Sequence, residues 1–158
     1  MADYFLKVDG IQGESADAKH KGEIDVLAFS WGVGHAGAAT AGSGAGEGKP
    51  VFDDLLVVAR TSKASPQLWL ACASGTHLKN VVLTARKAGR PPHEFLTIVL
   101  SDVVVASYEV DGSDEEPPLD QVSFSYRKVE TSYTPVDKAG KPQPPTRAGW
   151  DLKADTKA

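Results

Sequence analysis

The residues of this 158-residue chain that could do chemistry are few and far apart. Gly32-Val33-Gly34-His35-Ala36-Gly37 has the G-x-G-x-x-G spacing through which backbone amides approach a pyrophosphate, directly after a strand-like run. That chemistry needs a helix behind the glycines, and the chain continues instead with Ala, Gly and Ser. Gly46-Glu47-Gly48-Lys49 has the ending of a phosphate loop, but Ser43 stands at the position of its first glycine and Pro50 at that of its magnesium-binding hydroxyl. His20, His35, His77 and His93 have no i, i+4 pairing and no cysteine partner, so no tetrahedral metal set is spelled out. Asp111, Ser113 and Glu115 are spaced like the start of a calcium loop, yet Glu116 replaces its turn glycine and Val122 its bidentate carboxylate. Ser74 lacks the flanking glycines of a nucleophile elbow, and Cys72 among Leu70, Ala71 and Ala73 reads as an inert buried thiol. Neither a catalytic constellation nor a cofactor or metal site is expected, and the chain reads as no enzyme.

The elements that would position these residues are strands. From Ile24 one parity carries Ile24, Val26, Ala28 and Ser30 and the other Asp25, Leu27, Phe29 and Trp31, the period of two of a β-strand. Leu27, Phe29 and Trp31 form the heavier face and are expected in the core, leaving Ala28 and Ser30 on a small, weakly polar face. Before this strand lies a polar turn from Gly13 to Gly22, and before that a first strand in which Tyr4, Leu6 and Val8 alternate with Phe5, Lys7 and Asp9. After it, residues 37–50 are rich in glycine and alanine and carry no large apolar side chain, which predicts an extended flexible loop.

Val51 to Arg60 is apolar on both parities, Leu55 and Val57 against Leu56 and Val58, so burial on both faces is expected. The one helix signal follows: Ser65 as N-cap, Pro66 in the first turn, and Gly75 as the stop. Further strands are expected at Asn80–Lys87, at Phe95–Val110 with its even positions on one face and a bend or bulge near Ser101–Asp102, and at Gln121–Tyr133. A short strand at Trp150–Leu152 precedes a polar tail over 153–158. Seven or eight strands and one helix without βα alternation make a mainly β, antiparallel two-sheet barrel or sandwich with one short flanking helix, a single domain over 1–158.

Composition bounds the function. A net charge of −4 supplies no electrostatic footprint for nucleic acid, and no segment approaches the roughly 20 apolar residues of a membrane span. Asp3 and Lys7 interrupt the N-terminus, so no signal peptide is read there. Cys72 is the sole cysteine, so no internal disulfide forms. Strands apolar on both faces leave surface that another copy could cover. A monomeric ligand-binding barrel, with the small-residue face lining a pocket, remains the competing reading, and a hydrolase ranks last.

Gly13-Glu14-Ser15 with Asp17, His20 and Glu23-Ile24-Asp25-Val26, then Phe29-Ser30-Trp31-Gly32, resembles the N-terminal signature of the haemolysin-coregulated protein (Hcp) family. The likeness continues through Ser65-Pro66-Gln67-Leu68, Ser74-Gly75-Thr76-His77, Arg86-Lys87-Ala88-Gly89, Tyr133-Thr134-Pro135 and Gly149-Trp150-Asp151-Leu152, in order along the whole chain. The resemblance implies a tube subunit of the type VI secretion system, or of a related contractile injection system: a barrel assembled head-to-tail into homohexameric rings that stack into a phage-tail-like tube. It further implies spike and sheath proteins as partners, effector cargo in the lumen, and a protein cytoplasmic before firing and then exported without a signal peptide. Within that picture Ala28 and Ser30 are expected to face the lumen. Gly37, Thr40, Gly42, Ser43, Gly46 and Lys49 are expected at ring-to-ring contacts, and Leu55 and Val57 at the subunit interface.

Overall fold

The computed structural model describes residues 1–36 and 48–158. In chain order the elements are β1 (Ala2–Val8), β2 (Ile24–Val26), β3 (Ala28–Ser30), β4 (Val33–His35), β5 (Pro50–Phe52), β6 (Leu55–Arg60), α1 (Ser65–Ser74), β7 (His77–Lys87), β8 (His93–Asp111), β9 (Leu119–Tyr133), β10 (Thr146–Asp151) and β11 (Thr156–Lys157). All pairings are antiparallel. The ladder runs β2–β1–β7–β8–β9, and β9 pairs along its first half with β6 and along its second half with β10. Because β6 pairs in turn with β3, and the amide of Leu27 donates to Val58 O at 2.8 Å, the circuit closes into a barrel. Inside it sit Leu6, Leu55, Val57, Leu83, Leu100, Val103 and Phe124. The tail expected over 153–158 folds back, and Thr156–Lys157 pairs as β11 with Trp150 and Asp151.

Closure forces the long strands to bend, and each bend shifts the buried parity. The run from Ile24 is not one strand: Ile24 and Val26 are buried, a bend at Leu27 turns the chain, and from there Phe29 and Trp31 pack against the core. Leu27, expected inside, is 44% exposed because it is the corner residue. On β8 the irregularity expected near Ser101–Asp102 is a bend rather than a bulge: Asp102 has φ 55, and the register with β9 is the same at Ser101↔Lys128 and Val103↔Tyr126. The bend moves the core parity from Ile98 and Leu100 to Val103 and Val105, so Val104, Ala106 and Val110 do not share the core face expected of the even positions. A register shift between Val105 and Ser107 returns Tyr108 to the core side.

Helix α1 packs against β8 through Leu68 and Ala71, and ends as anticipated at Gly75 in the left-handed conformation. There Gly75 N–H donates to Cys72 O and Thr76 N–H to Ala71 O, which satisfies the last carbonyls. Its start differs from expectation: Ala64 is the N-cap, with no side-chain cap. Ser65 Oγ instead accepts from the amide of Ser62 and donates to Asp120. Asp120, buried in β9, also accepts from Thr61 Oγ1 at 2.9 Å and Tyr108 OH at 2.8 Å. Its carboxylate needs donors because it has left water, so the serine serves the carboxylate rather than the helix end.

Candidate assembly surfaces

The open face of β3 follows from its register. Cross-strand partners share a face of a sheet, so Ala28 opposite Val58 and Ser30 opposite Leu56 put these four residues on one side. Across β6 the same row continues to Gln121, opposite Val58, and Ser123, opposite Leu56. Ala28 and Ser30 are exposed and the other four half-buried. These six side chains are uncharged, but the same face runs on to Arg60, opposite Leu119, and across β9 to Glu109, opposite Gln121, and Asp111, opposite Leu119, all three exposed. The opposite parity of β6 is spent on the core: Leu55 and Val57 are 0% and 1% exposed, and so present nothing to a neighbouring subunit. The interface expected of them is corrected on that ground. The free apolar row of β6 is Leu56 and Val58.

Beyond β3 the chain leaves the barrel as a two-stranded ribbon, β4 against β5, with Val33↔Phe52, Gly34↔Val51 and His35↔Pro50. Gly32 and Gly34 therefore lie at and within this ribbon, not at a helix N-terminus, which removes the geometry a pyrophosphate would need. Val33 and Val51 are largely exposed, and His35 Nε2 lies 2.6 Å from Gly48 O. Of the residues expected at ring-to-ring contacts, Lys49 is exposed beside the ribbon, whereas Gly37, Thr40, Gly42, Ser43 and Gly46 lie outside the described residues.

The ribbon is fixed at its root. Trp31 Nε1 donates to Tyr126 OH at 2.6 Å, and that hydroxyl donates to Asp53 O at 2.7 Å, tying β9 to the turn between β5 and β6. Burial pushes the Tyr126 hydroxyl above its ordinary value, so it remains a donor. Phe52 stands between Trp31 and Trp150, with centroids 6.3 and 6.2 Å away. This tyrosine was invisible as an anchor in the sequence, where it was one of three alternating aromatic or apolar residues of a strand.

The polar stretch before β2 is more than a turn. It folds over the outer face of β1 and β7, where Phe5, Thr84 and Arg86 are all buried. His20 stacks on the Phe5 ring at 4.3 Å, and the Arg86 guanidinium sits 4.8 Å from the centre of the same ring. Arg86 donates to both Asp17 carboxylate oxygens, at 2.9 and 2.7 Å. That fork holds the Asp17 carboxyl at about 2, below the usual carboxylate range. The remaining histidines are dispersed, His77 against Asp102 and His93 against Thr134 O. Ser74 Oγ donates to Leu70 O, and Cys72 is half-buried with a free thiol. Among the described residues no group of His, Cys, Asp and Glu could hold a metal ion, and no helix is long and apolar enough to cross a membrane.

These elements define a mainly β protein, a closed antiparallel barrel with an open sheet face at β3 and a projecting ribbon. Comparison with known proteins makes the class specific. Residues 5–133 match the family model described as "Type VI secretion system effector, Hcp". Protein hcp1 of Pseudomonas aeruginosa is 38% identical over 99% of this chain and 98% of its own length. Among solved structures, Hcp1 from Salmonella typhimurium superposes with a TM-score of 0.82 at 35% identity, covering 99% of both chains. A structure described as a type six secretion system protein gives 0.91 at 30% identity over the whole of both. A type VI secretion system effector from Yersinia pestis gives 0.76 at 35% identity, over 94% of this chain and 99% of the other. The chain belongs to the Hcp family. It is a secreted tube subunit of the type VI secretion system, self-assembling and structural, and not an enzyme.

Proposed function

We propose that this subunit assembles head-to-tail into six-membered rings whose stacking makes the tube, with the sheet face of Ala28, Ser30, Leu56, Val58, Gln121 and Ser123 turned to the lumen. The observation that carries the reading is that face itself. It is accessible at β3 and uncharged where Ala28, Ser30, Leu56 and Ser123 meet, with the exposed charges of Arg60, Glu109 and Asp111 gathered at one end of the same face. Ring closure needs two different patches per subunit, and the exposed valines of the ribbon, Val33 and Val51, supply apolar surface for one of them. The segment 37–50, including Lys49, serves contact between successive rings. The tube is loaded in the cytoplasm with effector cargo, engages spike and sheath proteins, and leaves the cell through the type VI machine. Negative-stain projections of the purified chain test the reading. Rings with an open centre are expected, whereas single compact particles at every concentration contradict it.

A further inference from the structure

We propose that residues 13–23 form a pH-operated strap, held along its length on the outer face of β1, β7 and β8 while the His20 ring carries a proton on both nitrogens and freed at its 20–23 end when it loses one. His20 is 7% exposed. Its Nδ1 lies 2.9 Å from Glu23 Oε2 and its Nε2 2.6 Å from Glu94 Oε1. An ionised carboxylate can only accept, and a neutral imidazole has a single N–H. Both contacts are hydrogen bonds only in the imidazolium; in the neutral ring one nitrogen lone pair faces a carboxylate at contact distance. The proton on His20 is therefore what joins the strap, through Glu23, to β8, through Glu94.

The fork from Arg86 on β7 to Asp17 holds the middle of the strap whatever the state of His20, so loss of the ring proton frees only the strap's 20–23 end. Arg86 on β7 shares the Phe5 ring with His20, and its positive charge opposes a second cation there. It is matched by Asp17 of the strap and by Asp3 of β1 at 3.6 Å. Lys7 of β1 and Lys19 and Lys21 of the strap border the hollow beside Glu23. Near neutral pH neither Asp17 nor Arg86 changes charge, since their pairing moves the carboxyl down and the guanidinium up. The link from Glu14 Oε2 to the amide of Lys63, at 2.9 Å, holds only the strap's first end. His20 is left as the contact that titrates in that range.

The sign follows from the surroundings. Burial works against charge on His20, but the hydrogen bonds and fields of Glu23 and Glu94 outweigh it and raise the ring above its ordinary 6.5. A raised folded value means that the hold on the strap's 20–23 end is complete below the unfolded value of about 6.5 and is lost as pH climbs through the folded one. Freeing that end would uncover the His20 side of the Phe5 ring, so the tube subunit would present a different outer wall in alkaline and in mildly acidic surroundings. The strap belongs to the single subunit and holds or fails independently of the ring.

Ring-nitrogen NMR of His20 on the whole chain, with hydrogen exchange of peptides from 13–23 corrected for intrinsic rate, tests this between about pH 5.5 and 9. A His20 midpoint above 6.5 is expected, with protection at the strap's 20–23 end lost at the same midpoint while peptides of β9 keep theirs. His20→Gln should remove the pH step, and Glu94→Gln should move both midpoints to lower pH. Should His20→Gln fail to fold, the Glu94→Gln shift decides. A midpoint at or below 6.5, strap protection that shows no step, or midpoints unmoved in Glu94→Gln would overturn the proposal.

Discussion

Leu55→Ala separates core from contact surface on β6. Leu55 is fully enclosed by the barrel, 0% exposed, beside Val57 and opposite Phe124 on β9. Truncation removes three carbons, at about 0.8 kcal/mol each, or about 2.4 kcal/mol of transfer energy. A closed barrel cannot collapse onto the gap, because its walls are tied by ladders on both sides of β6, and the cavity raises the loss to about 3–5 kcal/mol. For a chain of this size that lowers the unfolding midpoint by roughly 6–20 °C. Leu56→Ala, on the half-buried parity next door, should cost less than about half as much, since it leaves no sealed cavity. Urea unfolding at fixed protein concentration, followed by the fluorescence of Trp31, Trp69 and Trp150, compares the two. A Leu55→Ala chain with the original midpoint but a lower assembly mass would refute the reasoning, because it would mean the side chain serves a neighbour rather than its own barrel.

Gly13→Ala should cost about 1–3 kcal/mol, because a Cβ there would stand 2.4 Å from Glu23 O and 2.8 Å from Ile24 Cγ1, against backbone that cannot yield without lifting the strap. Faster hydrogen exchange across 13–23 with little change in β9 checks it, and unchanged exchange would sink it. Ser30→Gln lengthens a side chain on the open face of β3 and should reduce cargo co-purification several-fold while rings still form. Loss of the rings themselves would count against a lumen position for Ser30.

Much of the architecture was legible because its signals are local. Pro66 and Gly75 bracket α1, the alternation of Val122, Phe124 and Tyr126 gives β9, and the interruption at Asp102 marks a bend. What escaped depends on partners distant in sequence. The corner at Leu27 and the shift after Val105 each slip the side-chain period by one residue, and a period of two cannot show on which side of a slip the core lies. Both parities of Leu55–Val58 are aliphatic, so only pairing with β9 reveals which row is inside. Phe5 shares its parity with Lys7 and Asp9 and its cover is polar, so its stack with His20 on the outer face leaves no pattern in the chain. Ser65 carried a strong capping signal, but a buried carboxylate in β9 claimed its hydroxyl first.

The central claim is that this barrel is one piece of a ring. Light scattering on a sizing column, over a range of concentrations and without added ligand, measures it most directly. The chain mass is 16.7 kDa, and a species near six chains that persists on dilution is the expected result. A mass of one chain at every concentration, with stabilisation by a small molecule instead, would contradict the account and favour a ligand-binding barrel.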